Sequence, residues 1–325
     1  MRYFRNVFLL ILLFPFLGSY AYAERYAVLI GINDYPSGSR LNGPVNDVNC
    51  LSEILSSKYE FPQKNITKLL NENATKENIL TTLKKLRTNT AAGDFIFVFF
   101  SGHGTSGKDP DSNLPIGDYT GALVPYDFNM YKDDINRTLS GLIIGKRDLK
   151  PIFSELDRDR KMFVMFDACF SGNAVRAVKH SRGIPKYFPI DFPDVKTEYS
   201  GIKKEPYPYQ NIIYISASDE MEKAVDLRPI DGTYDGKAHG ALTNALMIGL
   251  KGEADTNHNS KITYEELYRF LKGKVSHENG HTPQMLYTSG INSPVFDAMV
   301  KLELPPSGIS SPGDLRVKIE GNEHE

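Results

Sequence analysis

Cysteine is nearly absent: the 325 residues include only Cys50 and Cys169, which excludes a fold stapled by several disulfides and leaves stability to an apolar core. One bridge is the most that two cysteines allow. Against it, Cys50 falls among the apolar positions of a helix-like stretch (Val45, Val48, Leu51, Ile54, Leu55), which predicts a buried small hydrophobe and a free Cys169. Net charge is scarce too. At -2, with pI ≈ 6.4, the chain has no electrostatic reason to bind nucleic acid or an anionic membrane.

Long apolar runs are also missing, apart from Val7 to Leu17, which is interrupted by Pro15 and falls short of the ~20 residues a spanning helix needs. Arg2 and Arg5 precede it and Ala21-Tyr22-Ala23 follows it. This is the build of a secretory signal peptide cleaved after Ala23. The expectation is a secreted or periplasmic monomer with no stable membrane anchor.

What is present is ordinary globular composition, 41% hydrophobic and 24% charged, enough to bury a full core. From Arg25 the pattern alternates. RYAVLIG (25–31), Ile66 to Leu70 and DFIFVFF (94–100) read as buried strands, and Val45 to Ser57 and Thr75 to Thr88 as amphipathic helices between them. Such alternation predicts parallel βαβ units with right-handed crossovers. A loop rich in Gly, Pro and Asp (104–136), a short helix near Leu149 to Leu156 and the strand opening KMFVMFDACFSG (161–172) follow. After a further strand at Ile212 to Ser218 come helices over 240–250 and 264–275.

Two of these strands end in chemistry. DFIFVFF runs into Ser101-Gly102-His103-Gly104, and the later strand runs through Asp167 to Cys169. In open α/β sheets the carboxyl edge is where ligands bind. A thiol of free pKa roughly 8.5 there needs a base to become a thiolate near neutral pH. His103 as general base and Cys169 as nucleophile is the reading that uses both. Strand alternation also puts Asp167 on the same side as Cys169.

With RYAVLIGINDY, LNGPVNDV, FVFFSGHGT, GALVPYD, FVMFDACFSG, ISAS, HGALTNAL and HTPQM, the chain resembles the caspase-like cysteine peptidases, and within them the metacaspases, the bacterial members especially. The resemblance implies an α/β three-layer sandwich, a mostly parallel central sheet with helices on both faces, spanning residues 24–303. It implies that the backbone N–H groups of Gly104 and Cys169 hold the oxyanion. It implies too that Asp47 and Asp167, with Ser101 nearby, line a pocket for Arg or Lys at the residue before the cut, the S1 pocket. Asp47 also suits a plain helix N-terminal acid. Protein or peptide substrates follow. The chain departs from the family at Ile144-Gly145-Lys146-Arg147-Asp148, where an acidic pair is usual, which puts the family's activating calcium site and one S1 acid in question. Asp127, Asp133 and Asp134 stand nearby.

No cofactor is required by a thiol and an imidazole, but calcium has one candidate loop at 255–266. Asp255, Asn257, Asn259, the Lys261 carbonyl, Thr263 and Glu266 occupy the ligand positions of an EF-hand, with Ser260 in place of the usual Gly. Thr263 and Glu266 equally form a capping box for the next helix, and any calcium there would be structural.

Residues 176–211 break the pattern, with many prolines and a basic excess. A mobile, linker-like loop is expected, in the place where the family often cuts itself, with Arg176, Lys179, Arg182 and Lys186 as candidates. Residues 304–325 read as a disordered tail. The leading expectation is an exported cysteine endopeptidase cutting after Arg or Lys. Two others stand beside it: a catalytically silent caspase-like binding or scaffold domain, and a legumain-like asparaginyl hydrolase or transamidase.

Overall fold

Residues 25–31, 95–101 and 161–167 are apolar almost throughout, so strands built from them must be covered on both faces. In the structure, a computed structural model describing residues 23–107, 120–169, 184–186, 188, 206–218 and 222–297, they are. The elements in chain order are β1 (Arg25–Gly31), α1 (Pro44–Lys58), β2 (Ile66–Leu70), α2 (Lys76–Asn89), β3 (Phe95–Ser101), β4 (Gly104–Gly107) and β5 (Thr120–Leu123). Then come α3 (Ile135–Gly141), β6 (Ile143–Ile144), α4 (Lys150–Leu156), β7 (Lys161–Asp167), β8 (Ile184–Pro185), β9 (Ile212–Ser216), β10 (Val225–Leu227), β11 (His239–Gly240), α5 (Ala241–Ile248), α6 (Tyr264–Asn279) and β12 (Gln284–Leu286).

The central sheet has the order β12-β9-β7-β3-β1-β2 and is parallel except for β12. Side-chain alternation divides its residues between two cores. Val28, Ile30, Ile96, Val98, Phe100, Val164 and Phe166 face the layer holding α2 and α4. Ala27, Leu29, Phe97, Phe99, Phe163, Met165 and Cys169 face the layer of α1, α5 and α6. This is the three-layer α/β architecture expected. Each large side chain so buried contributes about 1.5–3 kcal/mol.

Register brings the strand ends level. Gly31 pairs with Ser101, and Ser101 with Asp167, so β1, β3 and β7 stop together and open one edge. Two small antiparallel sheets lie beyond the central one, β4-β5-β6 and β11-β10-β8. The first occupies part of the 104–136 stretch expected to be loop, and the second draws β8 out of the expected 176–211 linker. That linker is otherwise described only at Lys186, Phe188 and from residue 206, so its expected mobility lies outside the described residues, as do the signal peptide and the tail. Among the described residues no helix is long and apolar enough to cross a membrane.

Helix ends follow local chemistry. Thr75 caps α2 by accepting from Asn78 N–H, and α1 opens on Pro44, which gives up no needed donor. Thr263 and Glu266 form the reciprocal capping box at the start of α6, which ends on Gly280 in the left-handed conformation at φ 73°.

Candidate active site

His103 and Cys169 sit where the turns after β3 and β7 meet, both buried. The approach is so close that a Cβ on Gly104 would stand 2.1 Å from the Cys169 carbonyl oxygen, which is why glycine follows the histidine. The imidazole is held from two sides. Nε2 lies 3.1 Å from the Ser39 carbonyl, an acceptor only, so Nε2 carries the proton and Nδ1 keeps its lone pair. Nδ1 is buried with no hydrogen-bond partner. The Tyr35 ring packs at 4.8 Å, and its hydroxyl accepts the His103 N–H at 2.8 Å. Burial holds this imidazole down at about 4, opposed by the backbone of Ser39 and of Lys186, and pushes the Cys169 thiol up to about 12. The thiol points at the Ala224 carbonyl, 3.5 Å away. Imidazole and thiol are thus both neutral.

Cys50 and Cys169 are both free. Cys50 was expected to be buried and is only half-buried, packed against the α1 side of the core, and burial pushes its thiol up to about 11.

Beside this pair lies a pocket of buried carboxylates. Asp47, in the first turn of α1, leaves its own helix end alone. Its oxygens accept from Ser101 Oγ (2.6 Å), His239 Nδ1 (2.8 Å) and Gly240 N–H (3.2 Å). Asp167 accepts on Oδ2 from the N–H and hydroxyl of Thr243 at 2.9 and 2.7 Å, so α5 points its positive end at this carboxylate. Three of the expected pocket residues, Asp47, Asp167 and Ser101, therefore come together.

The pocket is filled by the chain itself. Lys186, just past β8, is fully buried there, with Nζ 3.0 Å from Asp167 Oδ1, 3.8 Å from Asp47 Oδ2 and 2.8 Å from Ser101 Oγ. Burial would strip its proton, but Asp167, Asp47 and Asp226 together hold its pKa above the usual lysine value. Its carbonyl oxygen accepts from Gly104 N–H at 3.0 Å and Cys169 N–H at 3.5 Å, the two donors named for an oxyanion. Its own N–H donates to Ala224 at 2.9 Å, and Ile184 and Pro185 pair with Asp226 and Val225. Lys186 was expected as one accessible basic residue among four. It is instead fully buried, because two carboxylates can compensate a buried ammonium and water cannot reach it.

Three residues that the sequence reading did not single out complete the pocket. His239 bridges Asp47 and, at 2.8 Å, Asp235. Burial disfavours its charge, yet the bond to Asp47 and the second carboxylate raise its pKa overall. Asp226 accepts from Asn42 and Gly43 N–H and is itself pushed up to about 6 by burial. Gly240 leaves the room for the ammonium, since a Cβ there would fall 2.2 Å from Lys186 Nζ.

The basic neighbourhood before α4 is occupied by internal pairing. Asp148 accepts from Ile144 N–H and Arg147, with Lys76 Nζ 3.7 Å away. Asp127 accepts Lys76 N–H and Asp134 caps α3. In the 255–266 loop, Asp255 accepts from Asn259 and Ser260 N–H, and Asn257 and Asn259 close turns onto Asn259 and Lys261. Ser260 takes the left-handed conformation, φ 64°, that a Gly would supply without strain. Both Glu266 oxygens are engaged, by Thr256 and by the Thr263 cap. Among the described residues no three His, Cys, Asp or Glu side chains are grouped to hold a metal.

The sequence has relatives. Residues 25–178 match the family model described as metacaspase, peptidase C14 domain. With two curated metacaspases, this match supports a caspase-like protein of the metacaspase kind. The chain is 28% identical over 284 residues to Metacaspase-1 of Plasmodium falciparum, covering 83% of this chain and 41% of that protein. It is 25% identical over 260 residues to Metacaspase-1 of Schizosaccharomyces pombe, covering 78% and 52%, and 30% identical over 167 residues to Metacaspase-6 of Arabidopsis thaliana, covering 48% and 40%. The chain thus spans about half or less of these curated relatives. In fold it is similar to a Geobacter sulfurreducens protein of known crystal structure, with a TM-score of 0.57 at 17% identity, covering 85% of this chain and 99% of that one.

Proposed function

We propose that this metacaspase-like chain is an exported cysteine endopeptidase that cuts after Lys or Arg, and that its own Lys186–Tyr187 peptide bond is its first substrate. One observation carries the reading: Lys186 lies with its ammonium between Asp167 and Asp47 and its carbonyl on the N–H groups of Gly104 and Cys169. That is how a residue awaiting cleavage is held, side chain in the specificity pocket and carbonyl in the oxyanion site.

The proposed chemistry begins with the Cys169 thiol turning from the Ala224 carbonyl toward the partnerless Nδ1 of His103. His103 Nδ1 takes the thiol proton as Cys169 Sγ attacks the Lys186 carbonyl carbon. The oxyanion gathers the two N–H bonds, which tighten as charge develops. The intermediate collapses to a thioester as the Tyr187 amine leaves with the proton from His103. Water, deprotonated by His103, then releases the Lys186 carboxylate and restores the thiol. An arginine fits the same pair of carboxylates, whereas an asparagine would bring no cation between the two buried carboxylates, which disfavours the legumain-like reading. The leader before Glu24 supports export, and no partner beyond the substrate is required.

The test is incubation of the reduced chain lacking residues 1–23, beside Cys169→Ala, with mass spectrometry of the products and fluorogenic peptides bearing Arg, Lys, Asn or Asp before the cut. A new amino terminus at Tyr187 and Arg or Lys turnover, both absent from Cys169→Ala, is the expected result. Asn turnover alone would overturn the cationic pocket. No turnover by folded, reduced protein would favour the silent binding domain.

A further inference from the structure

Gly104 grips the chain on both sides of the proposed cut. Its N–H donates to the Lys186 carbonyl and its carbonyl accepts the Phe188 N–H, each at 3.0 Å. One residue thus fixes the register of the peptide from the residue before the cut to the second residue after it, the P2′ position. The Phe188 side chain that this register delivers is buried. Its ring meets Phe128 edge-on at 5.3 Å and the His103 imidazole at 6.1 Å. Phe128 is itself fixed. It is buried, follows a turn tied to the catalytic loop through Val124 N–H on the His103 carbonyl, and has Gly141 behind it, where a Cβ would come within 3.3 Å of its ring.

The geometry points to a primed-side specificity subsite, walled by Phe128 and His103 beside Gly104, that takes a large aromatic side chain at P2′. This deepens the proposed function and rests on it. Any substrate that lays its carbonyl on Gly104 N–H and its P2′ N–H on the Gly104 carbonyl must bring its P2′ side chain to the face of Phe128. An aromatic ring there gains edge-to-face packing and loses its water. A small residue leaves the recess unfilled, and a charged one is desolvated without a partner. The substrate class is therefore a peptide with Lys or Arg before the cut and Phe or Tyr two residues after it.

Internally quenched peptides containing Ile-Pro-Lys-Tyr-Phe, the same sequence with Ala or Glu for Phe, and a Lys→Ala control test this on the chain lacking residues 1–23. The Phe peptide should be cut after Lys at least tenfold faster in kcat/KM than the Ala peptide, and the Glu peptide slowest. Phe128→Leu should shrink the Phe-to-Ala ratio. Within the chain, Phe188→Ala should slow cleavage after Lys186 while Phe188→Tyr sustains it. Equal cleavage of the Phe and Ala peptides after Lys would overturn the subsite and leave the Lys pocket standing. Absence of cleavage after Lys in every peptide and in the chain would overturn the proposed function, and this inference with it.

Discussion

Nζ of Lys186 lies 3.0 Å from Oδ1 of Asp167, and solvent reaches neither side chain. Removing both charges from water costs several kcal/mol per ion, offset here because Asp47 and Ser101 add to the attraction. Such a pair fixes a position more surely than it stabilises a fold. Its strength lies in what happens when one member is lost.

Asp167→Asn in a Cys169→Ala background, where no cut can intervene, should therefore cost about 3–5 kcal/mol of unfolding free energy. The Asn keeps the shape and an acceptor for Thr243 but removes the nearest carboxylate, leaving the ammonium with Asp47 3.8 Å away and Asp226 beyond it. Guanidinium unfolding with unchanged m-value would report it as a lower midpoint. A midpoint within error of the parent would mean that Lys186 does not occupy the pocket in solution.

Gly240→Ala isolates the room in the pocket from its charge. Gly240 has φ -62° and ψ 142°, which alanine adopts freely, so the backbone is unstrained and the effect falls on the pocket. The added methyl falls 2.1 Å from Asp167 Oδ2, itself pinned by Thr243, and 2.2 Å from the bound ammonium. Turnover of Arg and Lys peptides should fall roughly 100-fold, or about 2.7 kcal/mol at ~1.4 kcal/mol per decade. Circular dichroism should be unchanged, while the melting temperature of the uncut chain should fall, because the methyl displaces the buried Lys186 ammonium from Asp167. Full activity in the variant would place the substrate cation elsewhere.

How far the sequence led can be judged on particular residues. The strands ending at Ser101 and Asp167 were legible because unbroken apolar runs leave little choice, and the turn residues after them placed His103 and Cys169 at one edge. Asp47 was ambiguous until its carboxylate was seen to turn away from its own helix toward Ser101 and His239. β8, β10, β11 and β12 were missed because two or three residues carry no period. Lys186 sat in a stretch whose composition reads as solvated linker, since composition does not register that two distant carboxylates will pair with one of several lysines. His239 and Gly240 were in view within HGALTNAL, but nothing local says that the histidine reaches Asp47, 192 positions away.

Cys169 should be chemically quiet until the covering segment is cut. Its thiol is buried and pushed up to about 12, so at pH 8 almost none is thiolate, and Lys186 lies across its backbone. Iodoacetamide at pH 8, read by mass spectrometry of the cysteine peptides, should label Cys169 in the Lys186→Gln chain, where no cationic anchor holds the segment, at least tenfold faster than in freshly prepared parent. Cys50 should stay slow in both. Equal labelling of Cys169 in the two chains would mean that the segment does not shield the thiol.

Two opposed contributions to the pH dependence of stability, from His103 and Asp226, are separated by a single substitution. His103, held down at about 4 by burial, binds fewer protons folded than unfolded between pH 4 and its unfolded value near 6.5. Stability from this group is present above 6.5 and is lost as pH falls through that window. Asp226, raised from 3.8 to about 6 by burial despite Lys186 beside it, binds more protons folded than unfolded between those values, so its contribution grows as pH falls. In the parent the two largely cancel between pH 4 and 6. His103→Gln removes the first and leaves the second, so the variant's stability relative to the parent should rise as pH drops from 6.5 to 4, by roughly 3 kcal/mol at ~1.4 kcal/mol per unit. Parallel unfolding curves from pH 4 to 7 in the Cys169→Ala background measure that difference. A constant difference across the range would mean that the imidazole titrates normally, and that Nδ1 is open to water in the uncut chain.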